Sequence, residues 1–238
     1  MGDVVAEQPQ SLTTPAEEVI PGCPKGLEHL AVAEKVIIKQ ELEMLEALTG
    51  YETANRYVIT NEQGQQIYCA AEQSDCLARV CCRQNRAFDM RIVDNSGVEV
   101  FHLLRPFRCG GCCCSPCCLQ RLEVSRGGQL LGLVTQDGRL CSTSFSVRSA
   151  TGDTQLKITR ACCTCRCCGE RKFKIKSADG KHDVGTLGKW WGGLVREMFT
   201  DSDKFCVQFP RDMDVTVKAT VVGAVFLIDF MAFEDNNA

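Results

Sequence analysis

Between Phe88 and Lys176 the chain alternates apolar and polar residues in short runs. Phe88, Met90 and Ile92 are separated by Asp89 and Arg91. Phe145 and Val147 sit among Ser144, Ser146 and Arg148; Leu156 and Ile158 alternate with Lys157 and Thr159; Phe173 and Ile175 alternate with Lys172, Lys174 and Lys176. Successive side chains of a strand point to opposite faces, so each run reads as a strand with one buried face. Phe205, Val207 and Phe209, spaced by Cys206 and Gln208, carry the same signature. Turn residues punctuate the runs at Asn61 to Gly64, Asp94 to Gly97, Gly127-Gly128, Asp137-Gly138, Gly152-Asp153 and Asp179-Gly180. Short strands with regular turns predict a sandwich or barrel, and the lack of strand–helix alternation argues against a doubly wound parallel sheet.

Both ends of the chain break this pattern. Residues 1–25 hold four of the seven prolines with scattered acids and no period, and are expected to form a mobile tail ahead of one domain over 26–234. Ala33 to Leu45 is rich in apolar residues but fits neither period cleanly. Val215 to Phe233 is dominated by apolar residues and as a helix would extend roughly 28 Å, against a bilayer core of about 30 Å. Lys218 and Asp229 confine its uncharged run to Ala219–Ile228, a length that suits a buried core helix. Both charges lie near the ends, where they could reach a membrane interface. The segment 215–233 therefore reads either as a helix buried in the domain or as a single transmembrane helix. A span would leave the N-terminus cytoplasmic, because Lys204, Arg211 and Lys218 precede it.

Composition narrows the function classes. Across 238 residues, 27 basic side chains oppose 30 acidic ones, for a net charge of −3. Binding by bulk positive charge is not expected, and no nucleic-acid partner is predicted. A hydrophobic share of 45% rules out whole-chain disorder. The start Met1-Gly2-Asp3-Val4-Val5-Ala6-Glu7 lacks the basic and apolar regions of a secretory signal, and Ala6 stands where a myristoylation motif wants Ser or Thr. A cytosolic start with reduced thiols is expected. No phosphate-binding Gly-rich loop runs into Lys-Ser/Thr, so nothing supplies a nucleotide site.

The anomaly is 18 cysteines, heavily clustered. One segment runs Arg108-Cys109-Gly110-Gly111-Cys112-Cys113-Cys114-Ser115-Pro116-Cys117-Cys118, where Pro116 and the glycines argue for a loop. A second runs Cys162-Cys163-Thr164-Cys165-Arg166-Cys167-Cys168, and a third holds Cys76, Cys81 and Cys82. Adjacent pairs make a disulfide framework awkward. The two-residue spacing of Cys109/Cys112, Cys114/Cys117 and Cys162/Cys165/Cys168 fits zinc, but the surplus of neighbouring thiols disfavours it. Clustered accessible thiols suit S-acylation, since one acyl chain anchors marginally and two or more anchor stably. Plain burial as small apolar residues is the third reading, preferred for Cys69, Cys141 and Cys206. For a catalytic thiol, nothing marks His29, His102 or His182 as a partner.

Several segments together resemble the phospholipid scramblase family. They are Glu41 to Gly50, Arg105-Pro106-Phe107-Arg108-Cys109, Cys112 to Cys118 running into Leu119-Gln120, Arg196 to Asp201, and Gln208-Phe209-Pro210 through Met231. The resemblance implies a mostly β, tubby-like fold: a closed antiparallel barrel of about twelve strands around a hydrophobic C-terminal helix. It implies palmitoylation of Cys112, Cys113, Cys114, Cys117 and Cys118, and location at the cytoplasmic face of the plasma membrane, with nuclear or mitochondrial pools as alternatives. Where some members carry a basic import segment, Gly185 to Trp191, this chain has Lys189 as its one cation. The implied function is calcium-triggered, ATP-independent movement of phospholipids between leaflets, a translocation rather than a catalysed chemical step.

The family's calcium loop falls on Asp201 to Asp212, with ligand positions Asp201, Asp203, Phe205, Val207, Phe209 and Asp212. Calcium wants six to eight oxygens, and this stretch offers three carboxylates, so binding would be weak. The strand signature of Phe205, Val207 and Phe209 competes with that reading. Lys172, Lys174 and Lys176 share one strand face and read as a solvated outer surface or a contact for anionic lipid headgroups. One helix cannot enclose a polar headgroup path, so transport would need a homo-oligomer or local bilayer thinning. The rival is a palmitoylated, lipid-binding adaptor that scaffolds signalling proteins without moving lipid.

Overall fold

A computed structural model describes residues 20–41, 56–73, 86–108, 118–138, 144–160, 172–189 and 204–232. A short helix, α1 (Glu28–Val32), precedes the strands β1 (Lys35–Glu41), β2 (Arg56–Thr60), β3 (Gln66–Gln73) and β4 (Phe88–Val93). The chain continues through β5 (Glu99–Arg105), β6 (Arg121–Arg126), β7 (Gln129–Gln136) and β8 (Ser144–Ser149). It then forms β9 (Thr154–Arg160), β10 (Lys172–Ser177), β11 (Asp183–Lys189) and β12 (Lys204–Gln208), and ends in α2 (Val215–Ala232). Each strand pairs antiparallel with its sequence neighbours, and β12 pairs with β1 through Val36 opposite Val207, closing a twelve-strand barrel among the described residues. The expected barrel is therefore present, and the ambiguous stretch after Ala33 supplies β1.

Period-two burial decides what faces inward. Phe88, Met90 and Ile92, then Phe145 and Val147, then Phe173 and Ile175 are all buried; Asp89, Arg91, Lys172 and Lys174 between them are not, whereas on β8 Ser144 and Ser146 are buried as well. This is the reverse of a membrane-spanning barrel, whose outer face is apolar. The lumen is filled by α2. Every side chain from Lys218 to Phe230 is buried in the residue-by-residue pattern, as a helix that is apolar all round requires. Phe226 meets Tyr57 edge to face at 5.0 Å, and Phe230 stacks on Phe88 at 4.5 Å. Gly132 on β7 lets the helix approach closely, because a Cβ there would stand 2.5 Å from the Thr220 hydroxyl and 2.8 Å from the Arg148 carbonyl oxygen.

These contacts correct the transmembrane reading of 215–233. Among the described residues no helix is long and apolar enough to cross a membrane. The two charges that could have reached a membrane interface are instead satisfied inside the protein. Asp214 caps the helix, its carboxylate accepting from the Thr216 and Val217 amides at 2.8 and 3.2 Å. Lys218 is fully buried, and its ammonium donates to the carbonyls of Ala31, Ala33 and Arg211 at 2.8, 2.9 and 2.8 Å. Burial lowers its pKa, and the Asp212 and Glu34 carboxylates oppose that shift. At the other end Asp229 accepts from the Tyr57 hydroxyl at 2.9 Å.

The alternating strand directions give the barrel two unlike rims. At one, five connections are short turns, with Gly64, Gly97, Gly152 and Gly180 at positive φ. Asn61 Oδ1 accepts from the amides of Gln63 and Gln65, and Asp94 Oδ1 does the same for Ser96 and Val98. The opposite rim holds the ends of β1, β3, β5, β7, β9 and β11 and the starts of their successors. Helix α2 enters at the turn rim, beside α1, and its last turn reaches Tyr57 and Phe88 at the opposite rim.

Lys218→Met keeps the length of the side chain and removes all three donors. We expect it to lower stability by at least about 2 kcal/mol, because buried carbonyls then lose their partner. Urea unfolding with an unchanged slope would measure this, and a midpoint equal to the parent's would show that the ammonium is not a fastener.

Candidate functional site

Topology sorts the sequence-predicted residues by rim. The connections β3–β4, β5–β6 and β9–β10, which contain the three cysteine clusters, all leave and re-enter the barrel at the rim opposite the short turns. Cys112, Cys113, Cys114 and Cys117 lie outside the described residues, as do Cys141, the second and third clusters, Trp190 and Trp191. Cys118 is half-buried at the entry to β6. Cys69 on β3 and Cys206 on β12 are half-buried on the outer face, and burial raises both thiol pKa values. The reading of these two as packed small residues agrees with their partial burial on strands.

Gln120 holds the base of the β5–β6 connection. Its side-chain oxygen accepts from Arg105 Nε and Nη2 at 3.1 and 2.9 Å, and its side-chain amide donates to the carbonyls of Arg108 and Cys118, each at 3.4 Å. Its backbone pairs with Gln136 at the end of β7. Arg108 adds a bond from Nη1 to the Leu119 carbonyl at 3.1 Å. Both stems of the cysteine-bearing connection are thereby fixed to one buried amide. Next to this clamp, Arg86 pairs with Glu72 at 2.9 Å and its guanidinium lies 4.4 Å from the Phe230 ring centre. A buried ion pair contributes only when well bonded, and this one also receives the end of α2.

Of the proposed calcium positions, the described ones run along β12 and beyond it. Asp201 and Asp203 lie outside the described residues. Phe205 and Val207 point into the barrel on β12, whose residues pair with both β1 and β11, and Phe209 is buried with its amide donating to the Glu34 carbonyl. Asp212 is exposed beyond the far end of β12, at the turn rim. Five strand residues extend about 16 Å, whereas calcium oxygens lie about 2.3–2.6 Å from the ion. Among the described residues no cluster of three or more His, Cys, Asp or Glu side chains could hold a metal.

Lys172, Lys174 and Lys176 do share the outer face of β10. Asp183 on β11 takes two of them, through Lys174 at 2.6 Å and Lys176 at 2.8 Å. The hydrogen bonds from Lys174 and then Lys176 hold the Asp183 carboxyl down to about 2. The patch is therefore partly neutralised on its own surface. Reading along the chain missed the Gln120 clamp and the Arg86–Glu72 pair, and marked Lys218 without its partners. Only their polar identity next to apolar segments signalled them, since partners such as Ala31, Arg105 and Glu72 are brought in by the fold.

The Scramblase family model matches residues 13–235 of the chain. Phospholipid scramblase 1 of Homo sapiens is 47% identical over 225 residues, 94% of this chain and 70% of that protein. Phospholipid scramblase 2 of Bos taurus is 48% identical over 213 residues, 89% of this chain and 72% of that protein. Phospholipid scramblase family member 5 of Homo sapiens is 43% identical over 216 residues, 90% of this chain and 79% of that protein. No solved structure matches.

Because Asp212 is exposed beyond the turn-rim end of β12, away from Phe205 and Val207, Asp212→Ala is expected to leave any calcium binding by the folded chain unchanged. Calorimetric titration of parent and variant tests this. A loss of binding in the variant would mean that the segment leaves the strand when calcium arrives.

Proposed function

The chain belongs to the scramblase family, and we propose that it moves phospholipids in both directions between membrane leaflets, without ATP and on a calcium trigger. The observation that carries this reading is the near-half identity, along almost the whole chain, to proteins named phospholipid scramblases. Transport is downhill, driven by the lipid gradient. Calcium acts weakly, in the range of about 10⁻⁴–10⁻³ M typical of sites with few carboxylates.

The barrel offers no internal route for a headgroup, since α2 packs its lumen with buried aromatic and aliphatic side chains. Lipids would therefore pass along the outside, at a place where the bilayer is thinned or where several copies meet. Attachment comes from acyl chains on Cys112, Cys113, Cys114, Cys117 and Cys118, at the cytoplasmic face of the plasma membrane. The Gln120 clamp supports this assignment, because it fixes both stems of the connection on which an anchor would pull. More than one acyl chain makes the attachment stable.

A second reading is favoured by the burial of α2. A protein with its apolar helix inside its own barrel is built like a peripheral adaptor, which would bind lipid and signalling proteins without moving lipid.

Reconstitution in liposomes carrying a fluorescent lipid separates the two. We expect leaflet exchange above protein-free liposomes, increased by millimolar calcium. Folded, vesicle-bound protein with no exchange would establish the adaptor reading. Replacing the five thiols by Ala is expected to move the protein from the membrane to the soluble fraction of cells, and unchanged membrane retention would remove the acyl anchor from the account.

A further inference from the structure

On the outer face of β6, β7 and β8, just outside the Gln120 clamp, lies an open cavity of about 410 Å³. Arg108, Arg121 and Arg148 line it, with Asp137 as the one lining carboxylate among the described residues. Thr135 sits between two of the arginines: it is the register partner of Arg121, and its hydroxyl accepts from Arg148 Nε at 3.3 Å. Arg148 also donates from Nη1 to the Gly152 carbonyl at 3.2 Å, so both acceptors are neutral and its charge is uncompensated by them. Asp137 is engaged by the Ser146 hydroxyl at 2.8 Å. Arg121 pairs with Glu123 at 3.0 Å, with both side chains more than a third exposed. Exposed pairs of this kind are weak and open to competition. With Glu123 counted, three arginines stand against two carboxylates among the described residues.

Planar guanidinium groups lining one concavity match a phosphate group, which can accept paired hydrogen bonds from each. The surroundings indicate where that phosphate would come from. Leu104 and Phe107 are among the few large apolar side chains left exposed, at 41% and 60%. Leu104 is the register partner of Glu123, and Phe107 precedes Arg108 at the same rim. Arg108 and Leu119, both lining the cavity, flank the cysteine-bearing connection. Cations beside exposed apolar residues at the site of an acyl anchor suit the boundary between headgroups and acyl chains.

We propose that Arg108, Arg121 and Arg148 form a binding site for the phosphate of a membrane lipid, distinct from the lysines of β10. The proposal rests on the membrane-facing reading of this rim, but not on lipid movement.

The test uses the full chain with its thiols unacylated, so that vesicle binding reports headgroup contact alone. Phosphatidylcholine vesicles are compared with vesicles that also contain phosphatidic acid, whose headgroup is the bare phosphate. Arg121→Gln should weaken binding to the second set about fivefold, and adding Arg148→Gln should bring the loss to roughly thirtyfold. Arg148→Lys should retain most of the binding, and Lys172→Gln with Lys174→Gln should change it by less than about twofold. Thermal midpoints check folding. Where the double variant unfolds, Arg121→Gln alone decides, since its side chain lies on the outer face.

Equal binding to both vesicle types, no loss in Arg121→Gln, or an equal loss from the β10 lysines would overturn the site. Stabilisation by soluble glycerol phosphate without vesicle preference would assign the cavity to a soluble anion and overturn the lipid source. Leaflet exchange by the parent chain is measured on the same vesicles. Its absence would remove the transport function and leave the binding result to stand.

Discussion

Twelve strands enclose more space than their own inward side chains can fill, because barrel diameter grows with strand number and eight strands already suffice for a packed interior. Helix α2 resolves this. Its apolar side chains meet inward-facing residues from around the barrel, as in the contacts of Phe226 with Tyr57 and Phe230 with Phe88. The dependence runs both ways. A helix that is apolar on all sides has no stable place in water, and a wide closed barrel without filling would hold a large void. Fixing α2 also fixes the two ends, since its N-terminal turn is tied to α1 through Lys218 and its last turn meets the Arg86–Glu72 pair.

With the lumen closed, the outer face and the rims are the surfaces available for lipid. The rims differ in how their structure is encoded. At the turn rim the reversals are written locally: Asn61 and Asp94 open two of them, Ser149 and Ser177 open two more, and glycine at positive φ serves all five. At the other rim, order at the described stems comes from long-range contacts such as those of Gln120 with Arg105, Arg108 and Gln136. Variation in the cysteine-bearing connections can thus be accommodated without disturbing the turns that set strand register.

This division explains what could be read from the chain alone. The strands around Phe88, Phe145, Leu156 and Phe173 were legible because period-two burial is a nearest-neighbour pattern, and the tight turns were legible because their chemistry spans four or five residues. The family resemblance supplied strand number and the central helix. The location of 215–233 was only partly legible: a helix inside a barrel and one inside a bilayer share the same apolar pattern, and the short uncharged run between Lys218 and Asp229 was what favoured burial. The Gln120 clamp and the partners of Lys218 were missed because they are distant in sequence: Lys218 reaches Ala31 across 187 positions. The arginine cavity joins residues from three strands and two stems, and a single arginine between polar neighbours carries no signal.

The charges that made the last segment ambiguous also select between its two environments. Lys218 and Asp229 each cost about 2.5–3.5 kcal/mol at the centre of a spanning helix, and less near its ends. In the barrel both are placed where partners await them, three carbonyls for the ammonium and the Tyr57 hydroxyl for the carboxylate. Desolvating a charge is offset only when its hydrogen bonds are made, so these partners favour the buried state at one particular depth of the helix. A fully apolar segment would pack the same lumen, but it would also slide along the barrel axis and partition more readily into a bilayer. Lys218 and Asp229 thus specify both the register of α2 and its choice of the protein interior over lipid. Contact with the membrane is thereby left to the outer surface and rims.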